Sequence, residues 1–177
     1  IEGTRAVYEY AKHKQIPQVI FASSSSVYGN HPEVPWKETL KDLNPLSPYA
    51  RYKLYCEELG KEYADRGDFR FIALRFFSVY GPRMRPDLAI YRFSEKILKN
   101  EAIEIFGDGS SHRDYTYVGD IVNGIMAALQ FNDSAFEVFN LGYGRKTSLL
   151  DMIRYIEQVL DKNAKIERLP VFKHEST

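Results

Sequence analysis

Short runs rich in Val, Ile, Leu and Phe recur along this chain, and longer segments with helical spacing separate them. The runs are "QVIFA" (18–22), "FRFIALRFF" (69–77), "AIEIF" (102–106) and "FEVFNLG" (136–142). The first two read as buried strands and the other two as strands. Helical spacing marks residues 3–14, 48–65, 89–100, 120–131 and 148–162. Strands that alternate with helices imply an α/β protein with a mostly parallel sheet. "AKIERL" (164–169) is expected as a last strand. Local signals fit this reading. Ser47 and Pro48 form a helix start, a hydroxyl cap followed by proline in the first turn. Arg66 and Gly67 end that helix. Thr147 or Ser148 caps a later one, with Asp151 in its first turns.

Composition narrows the function classes. The 177 residues suffice for a real core. Lys and Arg number 24, as do Asp and Glu, so the formal charge is zero. That argues against nucleic acid or an anionic membrane as the main partner. Cys56 is the only cysteine. No intrachain disulfide can form, and a reducing, cytoplasmic compartment is expected. No apolar run approaches the ~20 residues of a membrane helix. His13, His31, His112 and His174 lack metal-ligand spacing, and no metal is expected. Trp36, in a polar and Pro-rich loop, is expected to anchor that loop. The chain opens "IEGTRAVYEYAKHK" without Met and is read as a fragment that starts inside, or just before, a helix.

The first strand run ends in four serines, Ser23 to Ser26, and then Val-Tyr-Gly. In an open parallel sheet ligands bind at the carboxyl ends of strands, and hydroxyls there supply hydrogen bonds. The alternative is a Ser-rich turn whose side chains cap local backbone. Tyr49 and Lys53 lie four apart at a helix start, hence on one face. A nearby ammonium and the helix N-terminus favour the phenolate, so such a tyrosine can accept a proton from an alcohol. Tyr8/Lys12 and Tyr10/Lys14 have the same spacing. They lie on the preceding helix, where solvated or interface roles are expected. Only the third pair follows the serine-tipped strand.

"VIFASSSSVYG", "SPYARYK", "ALRFFSVYGPRMRPD", "IFGDGSSHRDYTYVGDIVNGI" and "FNLG" occur in order. Together they resemble the extended short-chain dehydrogenase/reductase family, in its NAD-dependent nucleotide-sugar epimerase/dehydratase branch. The resemblance implies the second half of a Rossmann-like doubly wound parallel sheet with bound NAD, plus a small C-terminal substrate lobe. The Rossmann part would be 1–77 and 119–140; the nucleotide-sugar lobe, incomplete at its C-terminus, would be 78–118 and 141–177. Family members carry a GxxGxxG turn for the pyrophosphate, and none occurs here. "FNLGYGRKTSLL" imitates a dinucleotide fingerprint, with Glu167 at a ribose ligand's distance. Its third glycine is Thr147, so it is read as a strand-to-helix turn.

The resemblance also assigns roles. Tyr49 would be the base, Lys53 its electrostatic partner and ribose ligand, and Ser24 a hydrogen-bond partner of the sugar hydroxyl. Ala22, Ser23, Phe77 and Val79 would join Tyr49 and Lys53 at the cofactor. Dehydratases of this branch place Asp-Glu after Ser24, and decarboxylating relatives place Glu before the valine. Ser25 and Ser26 stand here, and neither is an acid or base near neutral pH. Epimerisation at C4 through a 4-keto sugar is therefore expected. "RFFSVYGPRMRPD" is similar to UDP-glucuronate 4-epimerases. Ser78 would meet the substrate, and Arg85, with Arg83 as a competitor, would meet a C6 carboxylate with Ser25 and Ser26. Phe106 would flank the uracil. Arg113 would meet the diphosphate, or else pair with Asp114 or Asp120. UDP-glucose or UDP-N-acetylglucosamine epimerisation, and a silent NAD-binding or scaffold role, are the other readings. A homodimer through helices 3–14 and 48–65 is also implied. Tyr52, Cys56, Leu59 and Tyr63 form a stripe that serves either interface or core.

Overall fold

The computed structural model describes residues 1–170; residues 171–177, His174 among them, lie outside the described part. In chain order the elements are α1 (Glu2–His13), β1 (Gln18–Ser24), a 3₁₀ turn (Ser25–Tyr28), α2 (Pro48–Asp65), β2 (Arg70–Phe76) and β3 (Ser78–Tyr80). Then come α3 (Ala89–Leu98), β4 (Ala102–Phe106), β5 (His112–Arg113), β6 (Tyr115–Tyr117) and α4 (Val118–Gln130). The last are β7 (Phe136–Leu141), β8 (Thr147–Ser148), α5 (Leu149–Leu160) and β9 (Lys165–Leu169). They form two compact units. No helix of the described residues is long and apolar enough to cross a membrane.

The first unit comprises Ile1–Phe77 and Gly119–Gly142. Its sheet has the order β1-β2-β7, all parallel. Side chains alternate across it, as strand geometry requires. Val19, Phe71 and Phe136 share one register row, and Phe21, Ala73 and Val138 share the next one on that face. This face packs on α1 and α2 through Tyr8, Ala11, Leu59, Tyr63 and Ala64. The opposite face carries Ile20, Ile72, Leu74 and Phe139 and packs on Ala128 and Ile125 of α4. The double cover explains the continuous apolar runs. β1 extends to Ser24, two residues past the expected end, because Ser23 and Ser24 pair with Arg75 and Phe76.

One expectation about the helices changes, and one left open is resolved. Tyr8 is neither solvated nor at an interface. It is 2% exposed and sets its ring edge against Tyr63, Phe69 and Phe71. Its partner at i+4, Lys12, pairs with Asp68 at 3.1 Å. Along the α2 stripe, Cys56, Leu59 and Tyr63 belong to the core while Tyr52 is exposed.

The second unit comprises Ser78–Val118 and the described residues from Tyr143 onward. The parallel pair β4–β9 is covered by α3 and α5 through Phe93, Ile97, Ile103, Ile105, Met152, Ile153 and Ile156. Two small ladders, β3–β6 parallel and β5–β8 antiparallel, complete it. Their strands have two or three residues, too few to show a period in the sequence. Ser148, not Thr147, caps α5, its Oγ accepting from the Asp151 N–H at 3.0 Å. The GxG at Gly142–Gly144 is a turn bound to Asp114: the Tyr143 and Gly144 N–H groups donate to its two oxygens at 2.9 and 2.7 Å.

Gly60 sets how closely α2 approaches the sheet. A Cβ built there would lie 2.2 Å from the Phe71 ring. That ring stacks on Phe136 and cannot swing away. Gly60→Ala gains about 1 kcal/mol of helix propensity but costs roughly 1–3 kcal/mol of overpacking. A net loss of stability is expected, read as a lower midpoint in thermal or urea unfolding.

Candidate active site

At the carboxyl end of the first sheet the apolar rows give way to a polar one. Ser23, Arg75 and Asn140 lie side by side across β1, β2 and β7. Arg75 is 3% exposed, and its fork grips Glu57 of α2, Nη2 to Oε2 at 2.7 Å and Nε to Oε1 at 3.1 Å. The Ser23 hydroxyl donates to the same Glu57 carboxylate. Arg75 Nη1 donates to the Tyr28 hydroxyl at 2.9 Å, which donates to Asn140 Oδ1 at 2.8 Å. Burial alone would lower the Arg75 pKa. The Glu57 hydrogen bonds and charge, with those of Tyr28, raise it instead. Burial pushes the Tyr28 phenol up, against hydrogen bonds to Arg75 and Asn140 that pull it down.

Above this row stand the hydroxyls. Ser24 caps the 3₁₀ turn, its Oγ accepting from the Ser26 N–H at 3.2 Å and the Ser26 hydroxyl at 2.9 Å. Ser24 thus accepts twice, and its own proton has no acceptor among the described residues. The serine run is therefore a backbone cap and a free donor at once. Ser25 is half-buried in the turn.

Helix α2 brings the second half of the chemistry. The Ser47 Oγ accepts from the Ala50 N–H at 3.1 Å, so Pro48 and Tyr49 open the helix. Tyr49 is exposed at that first turn. Lys53, one turn on, donates to the Ala22 carbonyl at 2.7 Å. Its Nζ lies 5.6 Å from the Tyr49 ring centroid and 4.9 Å from that of Phe21. One lysine thereby ties the tyrosine's helix to the strand that bears Ser24.

The loop of residues 30–47 is fixed to the same sheet end. Trp36 stacks on Tyr28 with centroids 5.0 Å apart, and Phe77 lies 6.3 Å from Trp36. Its indole N–H donates to the His31 carbonyl at 3.1 Å. Asn140 donates from Nδ2 to the Trp36 carbonyl and from its backbone N–H to Glu38. Gly29 is needed because the Asn44 carbonyl lies against it: a Cβ would sit 1.9 Å from that oxygen, at φ +59°.

The remaining candidates belong to the second unit. Ser78 and Val79 are half-buried in β3, where the Ser78 N–H donates to the Asp114 carbonyl. Arg85 is exposed and already engages a carboxylate: Nε and Nη2 donate to the two oxygens of Asp87 at 3.0 and 2.6 Å. Those bonds hold the Asp87 carboxyl below its usual range. Arg83 is held at φ +66°. Phe106 is exposed at the end of β4. Arg113 donates to the His112 carbonyl and does not pair with Asp114. Asp114 instead accepts from the Gly142–Gly144 turn and Thr116.

Residues 1–142 match the NAD dependent epimerase/dehydratase family. This chain belongs to that family. A UDP-glucuronate 4-epimerase of Thermodesulfobacterium geofontis is 39% identical over 175 residues, 98% of this chain and 53% of the relative. The solved UDP-glucuronic acid 4-epimerase from Bacillus cereus, in complex with UDP-glucuronic acid and NAD, is 37% identical. Its TM-score is 0.86 over 95% of this chain and 53% of that one. A UDP-N-acetylglucosamine 4-epimerase from Methanobrevibacter ruminantium M1, in complex with UDP-N-acetylmuramic acid, is 30% identical with a TM-score of 0.91. That match covers 99% of this chain and 57% of that one. The chain spans about half the length of the curated relatives it matches.

The family's cofactor is NAD, and the donor set present fits one end of it. Lys53 spends one N–H on Ala22, which leaves two that ribose hydroxyls would accept from. Phe77 offers a half-buried ring. Ser23, expected beside the cofactor, donates its hydroxyl to Glu57. Sequence reasoning missed Glu57, Arg75, Tyr28 and Asn140. Two signals could have found the first pair. Glu57 continues the Tyr49/Lys53 face by one more turn, and a charge inside the apolar run 69–77 requires a buried partner.

Trp36 carries the loop's attachment. Trp36→Ala is expected to cost about 2 kcal/mol and to open residues 30–47 to limited proteolysis. Cleavage mapped by mass spectrometry, with the wild type intact under the same conditions, is the check.

Proposed function

We propose that the full-length protein is an NAD-dependent UDP-sugar 4-epimerase acting on UDP-glucuronate. The observation that supports it most is the Ser24/Tyr49/Lys53 arrangement on β1 and α2, in a family whose solved members include UDP-sugar 4-epimerases. In this reading Ser24 donates to or accepts from the sugar 4-hydroxyl, and Tyr49 holds its proton. Lys53 steadies the phenolate by charge and reaches the nicotinamide ribose. NAD, when bound, would supply a hydride acceptor at C4 and the donor that restores the hydride on the other face. Ser25 and Ser26 supply no acid or base for water loss or decarboxylation, which leaves simple epimerisation. Ala22 and the backbone of Ser23, whose hydroxyl is engaged by Glu57, complete the cofactor assignment with Phe77 and Val79. Ser78, Phe106 and Arg113 are assigned to the nucleotide sugar.

The choice of glucuronate rests on Arg85. Its fork already binds a carboxylate in two-pronged fashion, and a sugar carboxylate would take the place of Asp87. The likeness to a UDP-N-acetylglucosamine 4-epimerase favours an uncharged sugar as the second reading. A cytoplasmic homodimer through α1 and α2 belongs to the proposal; Val7, Tyr10 and Tyr52 are exposed there.

Proton NMR of the full-length protein with NAD and UDP-glucuronate tests this. UDP-galacturonate is expected, with turnover cut at least ~100-fold in Tyr49→Phe. Arg85→Ala is expected to raise KM for the acid by roughly tenfold or more. Turnover of UDP-N-acetylglucosamine alone would keep the Tyr49 chemistry and remove the role of Arg85. The 177-residue chain by itself, lacking a GxxGxxG turn, is expected to bind NAD poorly; stoichiometric NAD measured by calorimetry would refute this.

A further inference from the structure

The three functional side chains of the first unit come from two elements that must hold one register against each other. Ser24 is on β1; Tyr49 and Lys53 are on α2. Two side-chain hydrogen bonds join these elements, and they sit on consecutive strand residues. Lys53 donates to the Ala22 carbonyl, and Ser23 donates to Glu57. Tyr49, Lys53 and Glu57 are spaced by four on one helical face. Glu57 is in turn held by Arg75 of β2, the neighbouring strand. Charge cannot leave this buried pair without leaving the other member unpaired.

We propose that Glu57 and Arg75 are positioning residues, a buried ion pair that fixes α2 on β1 so that Tyr49 and Lys53 stand in reach of Ser24. The pair touches no reacting atom. It acts through Ser23 and the helix face, and Tyr28 extends it to Asn140 and the Trp36 loop. A helix that slid or tilted by about 1 Å would still fold and bind, yet misplace the phenol, and such errors cost on the order of 100-fold in rate.

This inference rests on the epimerase reading for its kinetic test, so the test includes a readout that does not. In the full-length protein, Glu57→Gln leaves Arg75 unpaired and is expected to lower the melting temperature. The double variant Glu57→Leu/Arg75→Met removes both charges and is expected to restore it, since apolar replacement of a buried pair is often neutral. The proposal expects the double variant to keep kcat at least ~10-fold down, with KM for the UDP-sugar within about twofold. Amide hydrogen exchange over residues 49–54 is expected to be faster than in the wild type, despite equal melting temperatures. Recovery of kcat and of slow exchange together with stability would overturn it, leaving the pair merely structural. If the double variant does not fold, Ser23→Ala keeps the ion pair and removes only its link to β1. Loss of kcat with faster exchange over 49–54 supports the proposal, and wild-type values in both overturn it. Should the wild type turn over no UDP-sugar, the functional reading fails, and the exchange data alone decide the positioning.

Discussion

The Glu57–Arg75 ion pair is the constraint on which the carboxyl end of the first unit's sheet depends. Both groups are nearly inaccessible, so each would be prohibitively costly alone. Satisfying them requires α2 against β2 at one register, β1 alongside with Ser23 facing inward, and the Tyr28 turn folded over the guanidinium. Apolar rows could slide by small amounts at little cost. A forked guanidinium on a carboxylate cannot, because its hydrogen bonds depend on direction.

That rigidity is placed where the sheet meets its ligands. Below the polar row the sheet is an aromatic and aliphatic core: Phe71 stacks on Phe136, and Gly60 lets the helix backbone come close. Above it lie Ser24 and the loop carrying Trp36. The transition takes one residue of strand. Hydroxyls thus stand on a base whose own polar groups are already satisfied, with the Ser24 proton lacking an acceptor among the described residues and the Tyr49 phenol exposed. In the second unit the pattern differs. Arg85, Phe106 and Arg113 sit at exposed positions on a small scaffold of α3, α5 and the β4–β9 pair. Asp114 organises the Gly142–Gly144 turn there rather than neutralising Arg113.

Much of the scaffold was legible in the residues. The longer strands and all five helices appear where apolar runs and helical spacing place them, and the Ser47-Pro48 start is a local signal with a local cause. The three Tyr/Lys pairs show where such reading stops. Spacing is identical in all three, yet Tyr8 is core, Tyr10 is exposed on α1, and Tyr49 is exposed on α2 one turn before the lysine that bonds to Ala22 of β1. Their fates differ because burial depends on which strand a helix face meets, and that is a long-range fact. The short β3, β5, β6 and β8 were invisible for another reason: two or three residues carry no period.

The sequence by itself determined the α/β class, the serine-tipped strand, the Tyr49/Lys53 helix start and membership of an epimerase lineage, because each is encoded in neighbouring residues. Only the tertiary structure decided that Ser23 faces Glu57, that Lys53 ties α2 to Ala22, and that Arg75 is buried and paired. Those contacts join residues 18 to 47 positions apart. Their hydrogen-bond geometry exists only once three parallel strands and a helix have packed into one register.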